Sequence, residues 1–384
     1  MATDVGRPAV ATKLTYLVSH PIQYQAPLLR RIGIEEGIDL RVVFERKPAG
    51  STYFDPGFGG SVAWDVPLTE GYDSVALADT DLRAEIRRAD ALWLHGWQSW
   101  AMRRALALAG GLRVPVLMRG ENCDLAMPDG RVPRRWLKRL YVDWIFRRCR
   151  AFLAIGSENQ NYYLRRGVPR QRIFSMPYAV DNEAFARKAE QARPRRDALK
   201  ASIGIAPDRR VVLYVGKLLR RKRPDVLARA VAGGDWPNGK PALVFVGSGE
   251  MENELRAVAP DATFLGFKNQ GHLPALYDMA DVVALPSERE PWGLVVNEAM
   301  ACGTAAVVSD QVGCAADLVK DGCGVVVPAG DAAALARGIA RCLDDADAMG
   351  KAAAARIRGW SFAEDVEGLK RAIEFARAGD DGKA

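Results

Sequence analysis

Short apolar runs recur along the whole chain. They are Leu14–Val18, Leu40–Phe44, Ala91–Leu94, Val114–Met118 and Ala151–Ile155, then Val211–Val215, Ala242–Val246, Val282–Leu285, Ala305–Val308 and Gly324–Val327. Between them, segments such as Gln25–Ile32, Leu82–Arg88 and Pro224–Ala232 carry apolar residues at helical spacing. Short, continuously apolar strands separated by helices predict parallel sheets covered on both faces. Ligands of such sheets lie beyond the carboxyl ends of the strands, so the residues just after each run are where chemistry is sought.

A chain of 384 residues exceeds the size at which one core keeps growing, so two domains are expected. The stretch Arg187–Lys200 is charged, holds a proline and has no strand character, which places a linker at 191–207. The reading is then a flexible start over 1–12, an N-terminal α/β domain over 13–190 and a C-terminal one over 208–361. A last helix spans 362–378, with Phe362, Val366, Leu369, Ile373 and Phe375 as its apolar members, and a frayed tail covers 379–384.

Composition narrows the class. Hydrophobic residues at 49% and charged residues at 26% suit a globular protein. The start MATDVGRPAV lacks a signal-peptide pattern, and no run approaches the roughly 18 apolar residues of a membrane span, so a cytoplasmic protein is expected. The six cysteines form no C-x-x-C pair, which favours reduced thiols over disulfides or a metal site. A net charge of +7 favours an anionic partner. The densest basic run, 131–150, sets Trp136, Leu137, Leu140, Tyr141, Trp144 and Ile145 at helical spacing among arginines. Two readings stay open for it: a helix lying on an anionic membrane at the inner face, with Trp136, Leu140 and Trp144 among Arg134, Arg135, Lys138, Arg139 and Arg147, or a core helix whose arginines face solvent.

The most informative stretch is Pro286-Ser-Glu-Arg-Glu-Pro-Trp-Gly-Leu-Val-Val-Asn-Glu-Ala-Met-Ala-Cys-Gly303. It follows a strand, turns at Pro291 and enters a helix near Gly293. Glu290 and Glu298 thus frame a helix start, where unpaired N–H groups suit phosphate and carboxylates accept bonds from sugar hydroxyls. This segment resembles the E-x7-E signature of retaining glycosyltransferases of family four. The resemblance implies that Glu290 contacts a donor sugar and Glu298 the ribose. Val215-Gly-Lys-Leu-Leu-Arg-Arg-Lys-Arg223 looks like the family's G-R-L-x-x-x-K segment, which implies that Lys217 and Lys222 bind the diphosphate. Lys217 stands where arginine is usual, exchanging a planar fork for a point charge. Val246-Gly-Ser-Gly-Glu250, whose first glycine is Gly247, resembles the family's glycine pair after the next strand, and Phe264-Leu-Gly-Phe-Lys268 the segment bracketing the base. The implied donor-side set is Gly216, Lys217, Lys222, Gly247, Phe267, Lys268, Glu290, Trp292, Gly293, Leu294 and Glu298.

The resemblance further implies a GT-B architecture, an α/β fold of two Rossmann-like domains facing across a cleft, with the C-terminal helix returning to the N-terminal domain. The expected reaction is transfer from a nucleotide diphosphate sugar, UDP favoured and GDP next, to a hydroxyl of a glycan, lipid-linked glycan or small glycoside. The nucleotide sugar is a substrate, and neither cofactor, metal nor nucleic acid is expected. A catalytically silent sugar-binding protein of the same fold is the alternative. The N-terminal half departs from the family's pattern. Ser19-His20-Pro21-Ile22-Gln23 stands in place of a glycine-rich loop, with Pro21 suiting a first helical turn. Arg119-Gly-Glu-Asn122 stands where the family often has a histidine. Arg119 and Glu121 are therefore expected at the reacting centre, with a structural ion pair as the rival reading. Ser19, His20, Gln23 and His95 are the acceptor-side candidates, and His95 could equally pack beneath tryptophans. His272 reads as a surface loop.

Overall fold

The computed structural model describes residues 11–46, 52–55, 60–63, 65–124 and 132–378, with backbone alone at 52–55, 60–63 and 132–138. Its strands are β1 (Thr12–Val18), β2 (Ile38–Phe44), β3 (Thr52–Asp55), β4 (Gly60–Ala63), β5 (Asp73–Ala76), β6 (Ala91–His95), β7 (Val116–Arg119), β8 (Ala151–Ala154) and β9 (Ile173–Ser175). The second half adds β10 (Val211–Val215), β11 (Ala242–Val246), β12 (Thr263–Phe264), β13 (Val282–Leu285), β14 (Ala305–Ser309) and β15 (Gly324–Val327). Two parallel sheets result, ordered β5-β2-β1-β6-β7-β8-β9 and β12-β11-β10-β13-β14-β15, with β3 and β4 a separate antiparallel hairpin. This is the expected GT-B arrangement of two α/β domains.

The period-2 alternation of strand side chains divides each sheet between two cores. Leu14, Tyr16 and Val18 pack with Leu29 of the helix Ala26–Gly33 and Leu369 of the helix Phe362–Ala378. Leu17 and Val43 face the opposite layer, with Leu106, Ile145 and Phe146. In the second sheet, Leu213 and Val215 meet Tyr277 and Met300, whereas Val212 and Tyr214 meet Leu227 and Ile339.

The expected linker at 191–207 is corrected. Helices Asn182–Ala192 and Arg196–Ser202, joined by a 3-10 turn, run through it. Phe185 and Ala189, one turn apart, are buried with Tyr277, Met300 and Cys302 of the C-terminal domain. Charge density there marks the helix's solvent face, as with Arg187. The chain crosses between domains at 176–181 and returns at 357–361, where Asn182 Nδ2 donates to Ile357 O (3.0 Å) and Trp360 O (3.1 Å). The last helix then buries Val366, Leu369, Ala372, Ile373 and Ala376 on the N-terminal domain. One further boundary moves, since β1 begins at Thr12, inside the expected flexible start; residues 1–10 of that start and the tail 379–384 lie outside the described residues.

Candidate functional site

Beyond the carboxyl ends of β10, β11 and β13 the chain makes three close turns. Gly216 follows β10 and Gly247 follows β11; Gly247 has φ +129°, and a Cβ on it would stand 2.0 Å from Gly216 O. A side chain there would push the two strand ends apart, so the glycine is dictated by approach as well as by backbone angle. The 3-10 turn Arg220–Lys222 carries Lys222 Nζ to 2.6 Å from Glu290 Oε2. Glu290 is held by its backbone, accepting from Gly313 N (2.9 Å) and donating to Gln311 O (3.2 Å). Lys217 is half-buried, and its carbonyl accepts from the Tyr214 hydroxyl (2.9 Å).

Gly293, at φ +100°, caps the helix Leu294–Ala301. The start of that helix therefore follows Glu290 within three residues. Leu294 is half-buried there, as is Phe267 on the loop after β12, while Lys268 is exposed. Glu298, on the second turn, accepts from the Tyr277 hydroxyl at 2.6 Å. Burial raises its pKa to about 7, against hydrogen bonds from Tyr277 and Gln270. The structure thus brings Gly216, Lys217, Lys222, Gly247, Glu290, Gly293 and Glu298 to one end of one sheet.

Trp292 is a correction. Only 3% exposed, it stacks on Trp360 (5.7 Å between ring centroids) and meets Tyr178 edge-on (6.4 Å). A Cβ on Gly156 of the N-terminal domain would come within 2.1 Å of its ring. The indole is therefore packed between domains instead of lining the donor side.

Arg119 is a second correction. It is 1% exposed, and its Nη2 donates to Asp365 Oδ1 (3.0 Å), Met176 O (3.1 Å) and Pro177 O (3.2 Å). It does not enter the cleft and does not pair with Glu121; it binds the last helix to the crossing segment. Burial pushes Asp365 up to about 7, although Arg119 opposes it. The expectation failed because the side chain at the end of an interior strand can turn back into the core when a carboxylate from a distant helix waits there.

Glu121, in contrast, is exposed on the cleft side, and its Oε1 accepts from the hydroxyls of Tyr24 (2.8 Å) and Tyr178 (2.6 Å). Burial and the Glu121 charge hold both tyrosines well above their ordinary pKa, so they remain donors. His95, at the end of β6, is half-buried with Nδ1 3.0 Å from the Tyr16 hydroxyl and 3.3 Å from Gln25 Nε2. Burial first, then Arg119 and His20, lowers its pKa to about 3, so it is neutral. His20 is exposed, with Nδ1 2.9 Å from Ser19 Oγ, and Gln23 is half-buried. The neighbouring helix starts at Ala26 with Pro27 in its first turn, so Pro21 precedes a turn closed onto Ile22 O and does not begin the helix. His272 is exposed, as expected. Tyr24, Tyr178, Gln270 and Asn297 were missed; each is an ordinary core or loop residue until the fold brings its partner near.

A cavity of about 600 Å3 opens between the domains, lined by Tyr24, Val180, Phe185, Pro274, Phe362 and Gln270 among others. Lys217, Lys222 and Glu290 do not line it, so it is not the site of the three turns. It adjoins that site through Gln270, which bonds Glu298. Across the cleft, Ser157 N donates to Asp317 Oδ2 (2.8 Å), and Gly271 N to Asp65 Oδ2 (2.8 Å). Among the described residues no group of three or more His, Cys, Asp or Glu could hold a metal ion, and all six cysteines are buried, none of them in a disulfide.

Residues 195–357 match the family described as Glycosyl transferases group 1, and residues 28–179 the Glycosyl transferase 4-like domain. The chain is 30% identical to D-inositol 3-phosphate glycosyltransferase of Nocardia farcinica over 74% of its length and 65% of the relative's. It is 30% identical to the enzyme of that name from Mycolicibacterium smegmatis over 76% and 67%. The matches thus span about two thirds of these relatives. Among solved structures, Anabaena HepE in complex with UDP and glucose superposes with a TM-score of 0.69 at 17% identity, covering 94% of this chain and 99% of that one. A glycosyltransferase from Rickettsia africae gives 0.72 at 13%, covering 95% and 98%.

Proposed function

The chain belongs to the group 1 glycosyltransferases of family four, and from that premise we propose that it transfers a hexosyl unit from a UDP-sugar to an acceptor hydroxyl, with retention and without a metal ion. The observation that carries this reading is the Lys222–Glu290 contact beside the helix start at Gly293, with Glu298 one turn further in. In the reaction the bond between the anomeric carbon and the diphosphate oxygen breaks, its electron pair staying on the diphosphate, and the acceptor oxygen bonds the same carbon. The acceptor's proton passes to the departing phosphate oxygen on that face. Lys217, Lys222 and the helix start face the growing charge. Glu290 accepts from the sugar's hydroxyls and Glu298 from the ribose. Glu121, with Ser19, His20, Gln23 and neutral His95, receives the acceptor on the opposite wall. Uridine is favoured because the Anabaena neighbour holds UDP and glucose.

The test is a screen of nucleotides and nucleotide sugars for thermal stabilisation and hydrolysis. UDP at about 100 times its Kd adds roughly 2.7 kcal/mol. A protein unmoved by every nucleotide and every nucleotide sugar overturns the reading.

An anionic membrane is part of the same proposal. The helix Val132–Phe146 buries Val142, Ile145 and Phe146 on the core, while Leu140, Tyr141 and Trp144 are exposed at 48%, 38% and 42%. Arg148 lies 3.7 Å from the Trp144 ring centroid, and Arg139 and Arg147 are exposed beside them. Aromatic and basic groups on an outward face suit anionic head groups. The side chains of Arg134, Arg135, Trp136 and Lys138 lie outside the described residues. Among the described residues no helix is long and apolar enough to cross a membrane. The enzyme would then meet a lipid-linked glycan at the cytoplasmic face.

A further inference from the structure

Asn297 stands immediately before Glu298 on the helix Leu294–Ala301 and is 0% exposed. Its neighbours on that helix, Val296, Ala299 and Met300, are apolar core. An amide placed among them is costly unless both of its ends are satisfied. Both are. Trp292 Nε1 donates to Asn297 Oδ1 at 2.8 Å, and Asn297 Nδ2 donates to Tyr178 O at 2.9 Å. An indole N–H can only donate and a carbonyl can only accept, so the orientation of the amide is determined.

The two bonds join parts that do different things. Trp292 lies two residues from Glu290 on the donor loop. Tyr178 lies on the segment that crosses between domains, and its hydroxyl donates to Glu121 Oε1 at 2.6 Å. A continuous line therefore runs from the donor loop through Trp292, Asn297 and Tyr178 to the carboxylate on the opposite wall. Both tyrosine bonds go to Glu121 Oε1, and Oε2 takes no hydrogen bond within the described residues. That oxygen is left for a ligand hydroxyl.

We propose that Asn297 is a positioning residue, which through Tyr178 holds Glu121 in register with the donor loop so that a hydroxyl-bearing acceptor meets the anomeric carbon. The inference rests on the glycosyltransferase reading above. Hydrolysis of the donor by water needs only the donor side; transfer needs both walls aligned. The two reactions therefore separate this role from a merely structural one.

The experiment measures UDP affinity, UDP-sugar hydrolysis and transfer to a glycoside acceptor in the full chain and in Asn297→Leu, Asn297→Asp and Glu121→Gln. Asn297→Asp keeps an acceptor for the indole and is the variant to read if the leucine variant fails to fold. In the Asn297 variants, UDP affinity and hydrolysis per folded molecule are expected within about twofold of the parent, with transfer down at least tenfold. The hydrolysis-to-transfer ratio then rises by the same factor. Combining Asn297→Leu or Asn297→Asp with Glu121→Gln is expected to cost less than the product of the single losses, because both act on one line. Transfer that stays at the parental level, or falls in step with hydrolysis, overturns the inference. A parent that neither binds UDP nor hydrolyses any UDP-sugar overturns the underlying reading instead.

Discussion

Lys222 Nζ and Glu290 Oε2 stand 2.6 Å apart, with both side chains 13% exposed. The lysine comes from the turn after β10 and the glutamate from the loop after β13, neighbours in the sheet though 68 residues apart in sequence. On the proposed reading, a phosphate of the donor would take the place of the Glu290 carboxylate beside Lys222, and sugar hydroxyls would donate to Glu290 in place of the ammonium.

Lys222→Ala is accordingly expected to lower kcat by roughly two to three orders of magnitude, the scale on which a preorganised charge-stabilising group acts. Steady-state transfer measures it. Glu290→Ala is expected to cut transfer while free UDP binds as in the parent, by calorimetry. Parental turnover in both variants would place the reacting centre elsewhere.

If cationic side chains and a helix start meet the leaving charge, transfer continues in excess chelator. Rates with and without EDTA decide this, and activity lost to EDTA but restored by magnesium or manganese would count against the proposal.

Glu298 makes stability and pH oppose one another. Its folded pKa is raised to about 7 from an ordinary 4.5, so between those values the folded state binds more protons than the unfolded one. Stability from this group is full below about pH 4.5 and is lost as pH rises through 7. Glu298→Gln should thus melt on the order of a few degrees above the parent at pH 8, with the gap closing toward pH 4.5, while UDP binds more weakly. Asp365 titrates in the same window in both proteins and cancels from the difference. A gap that stays constant across this range contradicts the assignment.

Arg119→Met removes the partner of Asp365 and leaves the carbonyls of Met176 and Pro177 without it. Breaking a buried pair from one side costs about 3–5 kcal/mol, so the melting temperature should fall. The loss should grow from pH 6 to pH 8, because without Arg119 the buried Asp365 keeps its proton through a range where the paired carboxyl and the unfolded chain release theirs. Arg119→Met with Asp365→Leu should regain part of it. A parental melting temperature with transfer abolished would instead restore Arg119 to the reacting centre.

Sedimentation with anionic and neutral vesicles at low and moderate salt tests the outward face of the helix Val132–Phe146. Binding to anionic vesicles that weakens with salt and falls in Trp144→Ala is the expected result. Equal, negligible binding to both vesicle types leaves a freely diffusing acceptor.

What the chain by itself determined was whatever depends on nearest neighbours. Continuous apolar runs specify buried parallel strands, so Val211–Val215, Ala242–Val246 and Val282–Leu285 have the bounds read from sequence. The spacing of Glu290 and Glu298 about Gly293 placed two carboxylates at one helix start, because local backbone geometry is enough for that. The short strands β5, β9 and β12 were not legible, since their residues are partly exposed and depend on the sheet edge for pairing. Tertiary structure alone decided where long-range side chains turn. Arg119 and Glu121, two residues apart, diverge, one to Asp365, 246 residues away, and the other to Tyr24 and Tyr178. Trp292 likewise reads as part of a donor motif but fills the space above Gly156. The reason is physical: a strand end or loop sets where a side chain begins, whereas its direction is settled by which buried polar partner the rest of the chain delivers, and no local pattern encodes that.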